Sequence, residues 1–161
     1  MSDLSRCLGE VGLEKAQTYL RSGNAVFESE ESDVAVVRDL VESTITAEFG
    51  FEVPVILVTA AELARTVKAN PYAEAAEADP TKVHVMFLSG SPSQAALEAI
   101  DIVEFAPEEF SIGSGVAYLY LPDGMGRSKL AEALAKAASG AVGTTRNWRT
   151  VKRLMEMVEG T

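Results

Sequence analysis

The chain has 161 residues, 47% of them apolar, and a net charge of −10, so it can bury a core without disulfides or metals and is too apolar to be disordered. The negative charge argues against general nucleic-acid binding or attachment to an anionic membrane, since both require a positive surface. No apolar run approaches the roughly 18 residues of a membrane span, the opening Met1 to Cys7 has neither the basic nor the apolar region of a leader, and the expected compartment is the cytoplasm.

Leu4, Cys7, Leu8 and Val11 recur at helical spacing, which predicts a first helix over about Asp3 to Val11, ended by Gly12. Cys7 shares that apolar stripe and is expected in the core, where a lone cysteine has no disulfide to make. Gln17 to Arg21 and Ala25 to Ser29 flank Ser22-Gly23-Asn24 and predict a hairpin. Glu30, Glu31 and Asp33 then open a helix with Val34, Val37, Val41 and Ile45 along one face, closed by Gly50. Val53 to Val58 has the length and composition of a strand, and Thr59-x-x-Glu62 is a capping box for a short helix with Leu63 and Val67 inward, stopped by Asn70-Pro71.

The stretch from Tyr72 to Pro80 reads as a loop, with a frayed helix as the alternative, and divides residues 1–71 from 82–161 with 72–81 as the linker. Beyond it, Lys82 to Ser89 predicts a strand, Ser91-Pro92 a helix start, and Ala96, Leu97 and Ile100 that helix's apolar face. Phe110 to Ile112 and Val116 to Leu121 flank the turn Gly113-Ser114-Gly115, and the second of these strands, apolar on both faces, is expected to be central. A glycine-rich turn leads into a helix with Leu130 and Leu134 inward, ended by Ser139-Gly140, and Ala141 to Thr144 reads as a short strand. The last helix is expected to place Trp148, Val151, Met155 and Val158 on one face and Arg146, Arg149 and Arg153 on the other.

The second half therefore runs strand, helix, strand, strand, helix, strand, the split βαβ order of ferredoxin-like folds. The first half repeats it without an opening strand. The expected class is thus α+β, with tandem ferredoxin-like halves of which the first lacks its opening strand. Three ways of resolving the gap are open: a start upstream of Met1, a rearranged sheet, or a strand from a second molecule.

Charge is unevenly spread. Residues 127–153 hold seven cations and one anion, a net of +6 that leaves −16 elsewhere. Within this segment Gly126, Arg127, Ser128 and Lys129 lie between a strand and a helix, where free N–H groups and the positive end of the helix dipole favour an anion. The spacing is not that of a Walker A loop, and the plain alternative is a tight turn with solvated cations. Thr144-Thr145-Arg146-Asn147-Trp148-Arg149 reads as a second helix start, in which Arg146, Asn147 and Arg149 are candidate contacts to phosphate or carboxylate. Its alternatives are arginines paired with the acidic body and a Trp148 that belongs to the core.

In the first half, Arg21, Ser22 and Asn24 form either a recognition loop or an ordinary hairpin turn. His84 alternates with Val83 and Val85 and is expected to be a buried structural residue. One histidine and one cysteine leave no zinc cluster and no catalytic triad, and neither a metal nor a cofactor is implied. Tyr118 and Tyr120 share a strand face, but the aromatic and basic pattern of single-strand RNA binders is absent.

Tyr19-Leu20-Arg21-Ser22-Gly23-Asn24-Ala25-Val26-Phe27, Ala69-Asn70-Pro71-Tyr72, Gly126-Arg127-Ser128-Lys129-Leu130 and Thr144-Thr145-Arg146-Asn147-Trp148-Arg149-Thr150-Val151 together resemble the bacterial family of domain of unknown function 1697. The resemblance implies a tandem ferredoxin-like fold and brings no activity, substrate or catalytic residue. Members of that family usually begin with a strand and an Arg-Gly-Ile-Asn-Val-Gly-Gly segment, and this chain starts at the helix after it. The functional expectation is a non-enzymatic module for a small phosphate- or carboxylate-bearing ligand. The alternatives are a structural or protein-interaction role for the basic C-terminal face, on an acidic partner or in a homodimer, and, more remotely, an enzyme built on scattered carboxylates.

Overall fold

The computed structural model describes residues 2–19, 23–89, 94–138 and 142–160. The protein is an α+β structure with antiparallel sheets, in two compact units: Met1–Val58 with Leu154–Thr161, and Thr59–Arg153.

In the first unit, α1 (Ser2–Glu10) precedes the antiparallel pair β1 (Glu14–Tyr19) and β2 (Asn24–Glu28), then α2 (Val34–Phe49). Asp33 caps α2 by accepting from the Ala35 N–H, and Gly50 closes it at φ 78°, a left-handed conformation that glycine adopts without a Cβ penalty. The core consists of Leu8, Leu13, Val37 and Val41, with Ala25, Phe27, Val55 and Leu57 packed against it. Cys7 is buried, as its helical spacing implied, and its thiol donates to the Leu4 carbonyl. Val34, expected inward, is exposed in the first turn of α2.

β1 begins three residues before the expected strand and β2 one residue before it, and β1 carries a bulge between Glu14 and Gln17. Val53 to Val58, expected as a strand, forms none. Its side chains Val55 and Leu57 reach the core, but its backbone has no ladder, and Glu42 accepts the Val55 N–H at 2.9 Å instead. A strand needs a neighbour to pair with, and among the described residues β1 and β2 pair only with each other.

The second unit opens with α3 (Ala60–Lys68), whose Thr59 and Glu62 form the expected reciprocal capping box. The Tyr72–Pro80 stretch, read mainly as a loop, contains α4 (Ala73–Ala78), held by burial of Ala76. A four-stranded sheet follows, with β3 (Val83–Ser89), β4 (Glu109–Ile112), β5 (Val116–Tyr120) and β6 (Val142–Asn147) in the order β4-β5-β3-β6 and all neighbours antiparallel. Helix α5 (Gln94–Glu98) lies between β3 and β4 in sequence, α6 (Lys129–Ala137) between β5 and β6, and α7 (Trp148–Glu159) follows β6. The proposed helix start at Ser91-Pro92 and stop at Ser139-Gly140 lie outside the described residues.

Interior strand β5 buries Val116, Ala117, Tyr118 and Leu119, which accounts for its apolar character on both faces. On one face Met86, Ala117 and Leu119 pack with Leu97 of α5 and Leu130, Ala131 and Leu134 of α6. The Tyr118 hydroxyl donates to the Thr66 carbonyl at 2.8 Å and ties β5 to α3. The segment from Thr144 to Arg149, expected as a helix start, is mostly strand. Thr144, Thr145 and Arg146 pair with Phe87, Met86 and Val85 in β6, as β-branched residues favour, and the helix starts only at Trp148. Arg146 therefore does not lie on a face of the last helix.

Leu119 has no exposed surface. Leu119→Ala is expected to lower the unfolding free energy by about 2–5 kcal/mol, while Leu119→Met costs less than about 1.5 kcal/mol; urea denaturation compares the two.

Candidate functional site

The register of the second sheet decides where its helices begin. Val83 pairs with Tyr120, His84 with Asn147, and Glu109 with Tyr120. The start of β3, the ends of β5 and β6 and the start of β4 thus share one end of the sheet. The chain leaves that end from β5 into α6 and from β6 into α7, so both cation-rich helix starts belong to it.

At α6, Gly124 takes φ 88° and ψ 166°, a conformation open to glycine, whereas Gly126 has no such requirement and space where a Cβ would stand. Gly126 and Arg127 lie exposed in a 3₁₀ turn, Met125–Arg127. Ser128 is buried and caps the helix, its hydroxyl accepting from the Ala131 N–H at 2.9 Å. The Leu130 N–H donates to Glu108 Oε1 at 3.4 Å. This helix start therefore already holds an internal carboxylate, and Lys129 beside it is exposed. Nothing in the local sequence marks Glu108, which comes from 22 residues away.

At α7, Asn147 Oδ1 accepts from the Thr150 N–H at 2.9 Å, so its side chain is a cap. Arg149 is exposed, and Trp148 and Val151 are buried. Arg146 opposes Val85 and Asn147 opposes His84, so the two point to opposite faces of the sheet. The Arg146 guanidinium donates to Thr144 Oγ1 at 2.6 Å and to the Thr145 carbonyl at 3.0 Å, along its own strand, and burial lowers its pKa.

Lys82, just before β3, adds a cation to the same sheet end. Among the described residues Lys82, Arg127, Lys129 and Arg149 form no ion pair within 4.0 Å. Asp79 lies in their field: its carboxyl is held below the usual range chiefly by hydrogen bonds from the Thr81 hydroxyl and N–H, with smaller contributions from Lys82 and Arg149.

The tyrosines do not offer an open platform. Tyr118 is buried, and the Tyr120 ring lies against Tyr72 with centroids 6.2 Å apart. Burial, aided by Glu109, pushes the Tyr72 hydroxyl up to about 12. In the first unit Asn24 is buried and its side-chain amide donates to the Tyr19 carbonyl at 3.1 Å, which holds the hairpin together. Arg21 and Ser22 lie outside the described residues. The described residues contain no group of histidine, cysteine and carboxylates suited to a metal ion, and no helix long and apolar enough to cross a membrane.

The model of the family described as "Protein of unknown function (DUF1697)" matches residues 1–118. The chain belongs to that family. Among solved structures it is similar to the conserved bacterial protein SP0830 from Streptococcus pneumoniae, with a TM-score of 0.74 and 20% identity over 99% of this chain and 88% of that one. At that identity the likeness carries the fold alone. No curated protein matches the chain.

His84 is 7% exposed, its Nδ1 has no hydrogen-bond partner, and burial lowers its pKa below the ordinary 6.5. Because the unfolded chain takes up this proton more readily than the folded one, His84 contributes stability that is present above pH 6.5 and lost as pH falls through the depressed folded value. Denaturation at a series of pH values is expected to show this slope in the wild type and a flatter one in His84→Gln.

Proposed function

We propose that the protein is a non-enzymatic binding module for a small anionic ligand, seated at the end of the second sheet where α6 and α7 begin. One observation supports this reading above the others: in a chain of net charge −10, Lys82, Arg127, Lys129 and Arg149 lie at one sheet end and form no ion pair within 4.0 Å among the described residues, Asp79 sharing their field only at longer range. Unpaired cations held together repel one another, and a phosphate or carboxylate relieves that repulsion. Side chains rather than helix termini do the binding, since Ser128, Glu108 and Asn147 already accept from N–H groups at the two helix starts. In this reading the residues at the two helix starts divide: Arg127, Lys129 and Arg149 face the ligand, while Ser128 and Asn147 hold the helices in place.

The same proposal takes both units as ferredoxin-like, the first short of its opening strand, in a bacterial cytoplasmic protein. The strand, helix, strand, strand, helix, strand sequence and the β4-β5-β3-β6 order support this for the second unit. The repeated helix, hairpin, helix order supports it for the first. A docking role for the basic face has its own support, because exposed Lys152 continues the charge along α7 past Arg149.

A thermal-shift screen against inorganic phosphate, nucleotides, phosphosugars and acidic metabolites tests the proposal. A ligand at 100 times its Kd stabilises by about 2.7 kcal/mol. The Lys129→Ala, Arg149→Ala pair is expected to abolish the shift while leaving the ligand-free melting temperature nearly unchanged, as for exposed positions. A shift that survives in the double variant places the ligand elsewhere, and the absence of any shift counts against the module.

A further inference from the structure

Strand β4 is an outer strand of the second sheet, and its free edge has the features of a pairing surface. The Gly113 N–H donates to the Val116 carbonyl at 2.8 Å, so residues 113, 111 and 109 direct their backbone groups toward β5. By alternation, Phe110 and Ile112 direct theirs outward. No side chain or loop among the described residues bonds to those outward groups.

The edge also lacks the usual protection. Outer strand β1 of the first unit is bent by its bulge, and the opposite outer strand β6 carries Arg146. Strand β4 is paired in unbroken register, without a proline, and its single charge is Glu109 at one end. Its flank is apolar: Ile112 is 43% exposed, and the 3₁₀ turn Ile102–Phe105, which lies against β4, exposes Ile102 at 37% and Val103 at 78%.

We propose that β4 pairs with β4 of a second copy of this chain, antiparallel across a two-fold axis at Ser111. In that register Phe110 faces the partner's Ile112, each such pair exchanges two backbone hydrogen bonds, and Ser111 faces its own symmetry mate. Glu109 falls opposite the partner's Gly113, so no like charges meet. A four-residue strand whose outward groups and apolar side chains match themselves under a two-fold is self-complementary, which identifies the occupant as a second copy. The two sheets become one of eight strands, and Ile112 is covered by the partner's Phe110. This inference is independent of the ligand site at the other elements.

Sedimentation equilibrium and cross-linking test it. Ser111 pairs across a non-hydrogen-bonded position, where Cα atoms lie about 4.5 Å apart, within disulfide reach of roughly 4.4–6.8 Å. Cys7, the native cysteine, is 3% exposed, so under mild oxidation Ser111→Cys is expected to form a covalent dimer that the wild type does not. Ile112→Lys is expected to weaken dimerisation at least about tenfold, a change of about 1.4 kcal/mol, with its circular dichroism unchanged. A wild-type chain that stays monomeric at about 1 mM overturns the proposal, as does a dimer in which Ser111→Cys fails to cross-link. Should Ile112→Lys not fold, the Ser111→Cys result decides alone.

Discussion

The antiparallel seating of β3 between β5 and β6 is the constraint on which the second unit depends. Its ladders run without a break in register, Val83 to Phe87 on β5 and His84 to Ser89 on β6, and Val83 and Val85 have no exposed surface. That register also sets the direction of every connection. Because β5 and β6 both end beside the start of β3, the two helices that follow them must start at one end, and the cations at those starts are brought together by topology rather than by nearness in sequence.

That end is built differently from a phosphate-binding loop. In such loops the helix N–H groups are left for the ligand. Here the protein's own Ser128, Glu108 and Asn147 accept from the Ala131, Leu130 and Thr150 N–H groups, which stabilises α6 and α7, and the side chains of Arg127, Lys129 and Arg149 are exposed beside them. Under the proposed function, such an end would offer side-chain charge more than a cradle of backbone donors.

The first unit shows what happens when a strand is left without a neighbour. Val53 to Val58 has the residues of a strand, and its Val55 and Leu57 serve the core, yet no ladder forms. Burial of apolar side chains requires only a surface, whereas a strand requires a second backbone. Leu8, Val37 and Val41 are nonetheless buried, so the core closes around side chains from the extended segment.

Local chemistry was sufficient to determine much of this in advance. The capping box at Thr59 and Glu62, the Gly50 stop, the inward Cys7 and Leu8 of α1, the apolar face of α6, the burial of His84 and the interior place of β5 all follow from periodicity and turn residues, which act over a few positions, whereas Val11 of the first stripe lies beyond α1 and is exposed. Membership of the family was legible as well, and its model matches residues 1–118, short of the motifs at 126–130 and 144–151. What the sequence did not disclose depends on distant partners. The threonines of 144–145 choose β6 over a helix start because Phe87 and Met86 lie opposite them, Glu108 reaches the start of α6 from across the sheet end, and Arg146 and Asn147 part to opposite faces once the pleat is formed. The reason is physical: caps and stripes are properties of neighbouring residues, whereas a ladder, a facing carboxylate and a shared sheet end exist only after separate segments have been brought together.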